Sequence, residues 1–168
     1  MKKKFSRIIA MLLAVIMVLT AAPMAYANDD IASGTAGDGV NWSISADGTL
    51  TISGEGEPVV GWYSTPWYDY NESITAVVVE EGITALADTM LCYLDNCLSV
   101  SIPSTVTKIG DYVFWSHYNL EEINVDAEND DYCSVDGVLY NKDMTTLIIY
   151  PANKADTEFD IPSTVTTL

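Results

Sequence analysis

The chain of 168 residues has one histidine, three cysteines, and seven Lys and Arg against 24 Asp and Glu. Each shortage excludes something. With His117 the sole imidazole, no His cluster can hold a metal, and a Ser-His-Asp or Cys-His arrangement would have to use that residue. No second histidine and no nucleophile-elbow sequence supports such a role. Nor is any pair of carboxylates marked out for acid–base work. The reading is therefore non-enzymatic, with no cofactor and no metal.

The cysteines lack Cys-x-x-Cys spacing. An odd number of them in a secreted chain leaves at least one thiol free or bridged to another molecule. Cys92, Cys97 and Cys133 are read as buried or incidental thiols, because Cys is among the residues most often found in cores. A formal net charge of −17 repels nucleic acid and anionic head groups, so neither is an expected partner.

Long apolar runs are also missing. The longest, Ile8 to Leu19, has 12 residues, short of the roughly 20 a membrane-spanning helix needs. Lys2, Lys3, Lys4 and Arg7 precede it, and Ala25-Tyr26-Ala27 follows it, ahead of the polar Asn28-Asp29-Asp30. Positive charge, a short apolar run and Ala-x-Ala predict a secretory signal peptide over residues 1–27, cleaved after Ala27. The mature chain then has no membrane span and is secreted or cell-surface.

What is abundant is repetition. Ile-Pro-Ser-Thr-Val-Thr occurs at Ile102 and again at Ile161. Ile74, Cys97 and Leu120 stand 23 residues apart, as do Val77, Val100 and Ile123, and Val79, Ile102 and Val125. Ile83 pairs likewise with Val106, Leu86 with Ile109, Met90 with Val113, and Leu91 with Phe114. Apolar positions recurring at one period mark a solenoid, in which each unit buries its face against its neighbours.

Within a unit, Val100-Ser101-Ile102 alternates as a strand should, and Pro103-Ser104-Thr105 makes a corner. Gly110-Asp111 then precedes Tyr112-Val113-Phe114-Trp115, with Asp111 as expected N-cap of a short helical turn. Each coil returns to place the next strand about 4.8 Å from the last. After Val125 the pattern stretches by 13 residues. There, Val138 to Tyr140 and Thr146 to Tyr150 flank the turn Asn141 to Met144, predicting a β-hairpin. Phe159 and Ile161 are expected to resume the strand.

The units "VSIPSTVTKIGDYVFWSHYNL" and "VVVEEGITALADTML" resemble the BspA-like leucine-rich repeats of bacterial surface proteins. The insert "SVDGVLYNKDMTTLIIYP" resembles a hairpin variant of that family, and "VNWSISADGTLTISGEGE" its N-terminal hairpin region. The resemblance covers about residues 34 to 168. It implies an α/β repeat solenoid of right-handed coils, with short parallel strands and short helical turns, behind an N-terminal antiparallel β-hairpin. The expected divisions are 28–73 for hairpin and aromatic cap, and 74–168 for the repeats, with an insert at about 130–151 and a last repeat left incomplete. The triplets Asn41-Trp42-Ser43 and Asn71-Glu72-Ser73 fit N-glycosylation, but in a bacterial protein that signal is silent.

The resemblance further implies adhesion: a binding module for an extracellular protein or glycan. Outward strand positions Val78, Ser101, Asn124 and Asp160 are the candidate contact row. Trp62, Trp67 and Tyr68, in the aromatic stretch Gly61 to Asn71, offer either a sugar platform or a cover for the open end of the first coil. The acidic run Asp126 to Asp131 lacks the EF-hand ligands and is read as solvated loop. A non-catalytic front end of a larger secreted enzyme is the alternative reading. Leu168 is the counterpart of Ile109, so further repeats are expected beyond it. Phe159, Ile161, Val165 and Leu168 would otherwise form an open apolar end prone to end-to-end association.

Overall fold

The computed structural model describes residues 30–62, 64–156 and 158–168. The expected signal peptide and its cleavage point lie outside the described residues.

The chain opens with three antiparallel strands: β1 (Asp30–Thr35), β2 (Val40–Ser45) and β3 (Thr49–Gly54). Strict alternation in Val40-Asn41-Trp42-Ser43-Ile44 buries every second side chain, which is what one covered face requires. The turn into β3 uses Gly48 at φ 85°, and the Asp47 carboxylate accepts the Thr49 N–H at 3.2 Å.

The repeats follow. β4 (Ala76–Val79) lies parallel to β3, and β5 (Ala85–Leu86) turns away from it. One period later come β6 (Ser99–Ile102) and β7 (Lys108–Ile109), then β8 (Glu122–Val125). The order β1-β2-β3-β4-β6-β8 makes one six-stranded sheet, antiparallel at its front and parallel through the coils, while β5 and β7 form a second parallel pair. Ile44, Leu50, Val77, Val100 and Ile123 are successive register partners along one buried rung of the larger sheet. Each such side chain contributes roughly 1.5–3 kcal/mol of burial. The molecule is a repeat solenoid whose sheet is prolonged forward by the antiparallel strands.

The expected helical turns are absent from the described residues, apart from a 3-10 segment, Tyr68–Ser73. Residues 88–93 and 111–116 are turns instead, and the reason is in the backbone. Thr89, Tyr93, Tyr112 and Ser116 have φ between 57° and 64°, so left-handed residues recur at the repeat period and interrupt any helix. The N–H groups a helix would use internally point to the neighbouring coil: Thr89 donates to the Asp111 carbonyl and Tyr93 to that of Trp115, each at 2.9 Å. Asp111 is likewise no N-cap, since a turn and not a helix follows it; its own N–H donates to Asp88 Oδ1 at 2.9 Å.

Beyond β8 the period continues further than expected. Asn129 lies 23 residues after Val106 and is fully buried. Its amide donates to the carbonyls of Pro103 and Val106, and its Oδ1 accepts from the N–H groups of Asp131 and Tyr132. The run Asp126 to Asp131 is thus a coil corner pinned by one buried asparagine, with its acidic side chains exposed.

A three-stranded antiparallel sheet then forms from β9 (Tyr132–Val135), β10 (Val138–Asn141) and β11 (Leu147–Ile149). It takes the free edge of β8, where Ile123 N–H donates to the Gly137 carbonyl and Val125 N–H to Ser134 Oγ. For that reason Phe159 and Ile161 do not resume the strand. Phe159 stacks instead on Tyr150, with ring centroids 4.6 Å apart. Residues 158–168 form no strand: their β-pairing is a single bridge, Thr146 with Thr167, beside which the Thr166 and Thr167 N–H groups donate to the Thr145 carbonyl.

Candidate functional site

The sheet positions three of the four expected contact residues in one line. Val78 is the register partner of Ser101, and Ser101 of Asn124. Because side chains alternate, all three face away from the buried rung beside them. The line also runs forward, as sequence reasoning missed: Thr51 partners Val78, Ser43 partners Thr51, and Ser33 partners Ser43. Six strands thus present Ser33, Ser43, Thr51, Val78, Ser101 and Asn124 as one row. The missed signal was the alternation of the front strands, legible only once the parallel register of β3 with β4 was known.

An open hollow of about 360 Å³ lies beside the row, lined in part by Glu81, Ser101, Asn124 and Asp126. Asn124 is held by its own strand, its Nδ2 donating to Glu122 Oε1 at 2.9 Å. Glu81 is fixed across the coils, accepting the Ser104 N–H and Oγ–H at 2.9 and 3.1 Å. Asp160 is not in the row. It lies in the exposed segment near Lys154 and Asp156, whose charges pair at 3.0 Å, and lines a separate hollow with them.

The aromatic candidates divide. Trp67 is fully buried and meets Trp42 edge to face at 6.0 Å. Tyr68 is exposed at the start of the 3-10 segment, and Trp62 is exposed and approaches Tyr112 at 6.3 Å.

His117 is buried, its Nε2–H donating to the Leu91 carbonyl at 2.6 Å. Burial lowers its pKa, opposed in part by that hydrogen bond and by Asp95. Cys97 is fully buried with its pKa pushed up to about 11 by desolvation, and its thiol points to the Ser99 carbonyl at 3.3 Å. Cys92, Cys97 and Cys133 are all unbridged. Among the described residues no group of three or more His, Cys, Asp and Glu side chains is arranged to hold a metal, and no helix is long and apolar enough to cross a membrane.

Further coil-to-coil links went unpredicted. Asn96 and Asn119, one period apart, each donate to a backbone carbonyl of the preceding coil, those of Glu72 and Asp95, at 2.8 and 2.7 Å. Their recurrence in the sequence was the available signal.

No protein-family profile matches the chain, and neither does any curated protein. Among solved structures it is similar to a leucine-rich repeat protein from Eubacterium ventriosum, at 28% identity and TM-score 0.46, over 80% of this chain and 55% of that one. A leucine-rich cell surface protein from Faecalibacterium prausnitzii matches at 17% identity and TM-score 0.40, over 82% and 66%. The pneumococcal vaccine antigen PcpA matches at 14% identity and TM-score 0.40, over 80% and 60%. The chain spans 55 to 66% of the lengths of these structures.

Proposed function

We propose that the chain is the recognition module of a bacterial leucine-rich-repeat surface protein of the BspA-like kind, exported by residues 1–27 and working by binding, without catalysis. The carrying observation is the six-strand row from Ser33 to Asn124, set in one sheet above a continuous apolar rung. Such a row is preorganised, so little conformational freedom is lost when a partner settles on it. Five of its six side chains are short and polar, Val78 being the exception, and the longer Glu81 and Asp126 rim the hollow beside it. That arrangement suits an extracellular protein or glycan partner. In this reading residues 30–73 also cap the first coil, with Trp67 and Trp42 covering the apolar end that would otherwise meet water.

The test is saturable binding of the chain from Asn28 onward to an immobilised panel of extracellular-matrix proteins and mucin. The wild type is expected to bind at least one of them. The Ser101→Arg/Asn124→Arg double variant should bind about tenfold more weakly or worse, with an unchanged melting temperature. Absence of saturable binding, or equal binding by the variant, contradicts the reading.

A further inference from the structure

Trp62, Tyr112 and Trp115 are 60%, 54% and 55% exposed, and they form a connected group. Tyr112 stands 6.3 Å from Trp62 and 5.3 Å from Trp115, the ring planes inclined by 66° and 59°. Contiguous exposed aromatics call for an explanation, where scattered ones do not. The coil itself does not need them. One period earlier the places of Tyr112 and Trp115 are filled by Thr89 and Cys92, 1% and 6% exposed, in a turn of the same left-handed geometry. Small buried residues serve that turn, and large exposed rings replace them in the next. The turn that carries them is held firmly, Trp115 accepting the Tyr93 N–H on its carbonyl at 2.9 Å and donating its own N–H to Tyr112 at 3.2 Å.

Trp62 also lines an open hollow of about 360 Å³ with Glu57, Val59, Asp88 and Lys108. Glu57 and Lys108 pair there at 3.5 Å. Both are largely exposed, so their attraction is weak enough for ligand groups to compete with it. The hollow therefore places two carboxylate acceptors and one ammonium donor beside inclined aromatic faces.

We propose that Trp62, Tyr112 and Trp115, with Glu57, Asp88 and Lys108, form a binding site for a neutral hexose oligosaccharide. The inference rests on the reading of the chain as a recognition module, and it places the site on the turns, away from the sheet row. A pyranose ring presents C–H groups that carry slight positive charge and settle on the negative face of an aromatic ring. Its hydroxyls both donate and accept, matching the carboxylates and the lysine. Successive tilted rings suit successive sugar units, whose planes turn along a chain. The formal net charge of −17 disfavours uronate, sulfated or phosphate-bearing glycans. A protein partner would be anchored by a deep, desolvated apolar pocket, which this open, charge-lined hollow does not provide.

The probes are cellohexaose, maltohexaose, mannohexaose and N-acetylated chitohexaose, titrated by calorimetry and by tryptophan fluorescence. Of the four tryptophans, Trp42 and Trp67 are buried and report the fold, while Trp62 and Trp115 report the site. At least one hexaose is expected to bind saturably and to shield the exposed pair from acrylamide. Trp62→Ala and Trp115→Ala should each weaken it by about tenfold or more without lowering the melting temperature. Trp115→Phe should fall between, Lys108→Gln should weaken binding, and Ser101→Arg/Asn124→Arg should leave it intact. Failure of all four hexaoses to bind, while the chain still binds the matrix panel, overturns this inference alone; failure of both overturns the recognition reading too. Equal affinity in the ring variants, or equal affinity for hexagalacturonate, overturns it as well. So does a dimer that Trp115→Ala dissociates, which would make the patch a contact between copies.

Discussion

Asn129 and His117 show how a polar side chain can belong to the core. Both are buried, and both hold carbonyls of the preceding coil, Asn129 those of Pro103 and Val106, His117 that of Leu91. The acidic neighbours of Asn129 suggested a solvated loop. The repeat period carried better information, because Asn129 falls on the position of Val106. His117 also gives the protein a pH dependence. Its folded pKa lies below the ordinary 6.5, chiefly through burial. The unfolded state therefore binds the proton first, and the stability tied to the neutral imidazole is present above about pH 6.5 and declines as pH falls below it. Melting curves between pH 7.5 and 5 should show this decline, and His117→Gln should flatten it. Parallel curves for the two proteins would mean that His117 is not held neutral.

Among the elements, the strands were legible and the turns were not. Val77, Val100 and Ile123 betray their strands because a buried rung accepts only apolar side chains at a fixed period. The turns 88–93 and 111–116 are joined by N–H groups of the first, Thr89 and Tyr93, donating to carbonyls of the second, and a backbone bond of that kind leaves little trace in composition. One trace does exist. A Cβ on Gly110 would meet Asp88 Oδ1 at 2.3 Å and the Asp88 backbone nitrogen at 2.7 Å, at the point where Asp88 receives the Asp111 N–H. Gly110→Ala should therefore cost about 1–3 kcal/mol, the usual range for forcing an extra methyl into a packed site. Urea unfolding measures it, and an unchanged midpoint would show that the coils are not this closely joined. The edge of β8 went unread for a different reason. The match of Phe159 and Ile161 to Val100 and Ile102 says nothing about whether another segment has already taken the neighbouring strand's hydrogen bonds.

At the scale of the molecule, antiparallel front and parallel coils share one sheet, and the proposed recognition row depends on that continuity. Register partners run unbroken from Ser33 through Ser43, Thr51, Val78 and Ser101 to Asn124 on one face, with Ile44, Leu50, Val77, Val100 and Ile123 alongside on the other. The sequence reading found the row in the coils and placed Asp160 at its end; the sheet instead ends at β8 and extends in the opposite direction. Pairing between segments of different repeat character is a long-range fact that no local pattern encodes. Likewise the aromatic segment 61–71 read as one feature, yet burial divides it into a core tryptophan, Trp67, and a surface one, Trp62. Native-state amide exchange across β2, β3, β4 and β6 examines the shared sheet without requiring any ligand. If the sheet is one cooperative body, the hydrogen-bonded amides of all four strands should exchange with a common opening free energy close to that of global unfolding. Free exchange in β2 and β3, with β4 and β6 still protected, would mean that the front strands are a separate flap and that no continuous row exists.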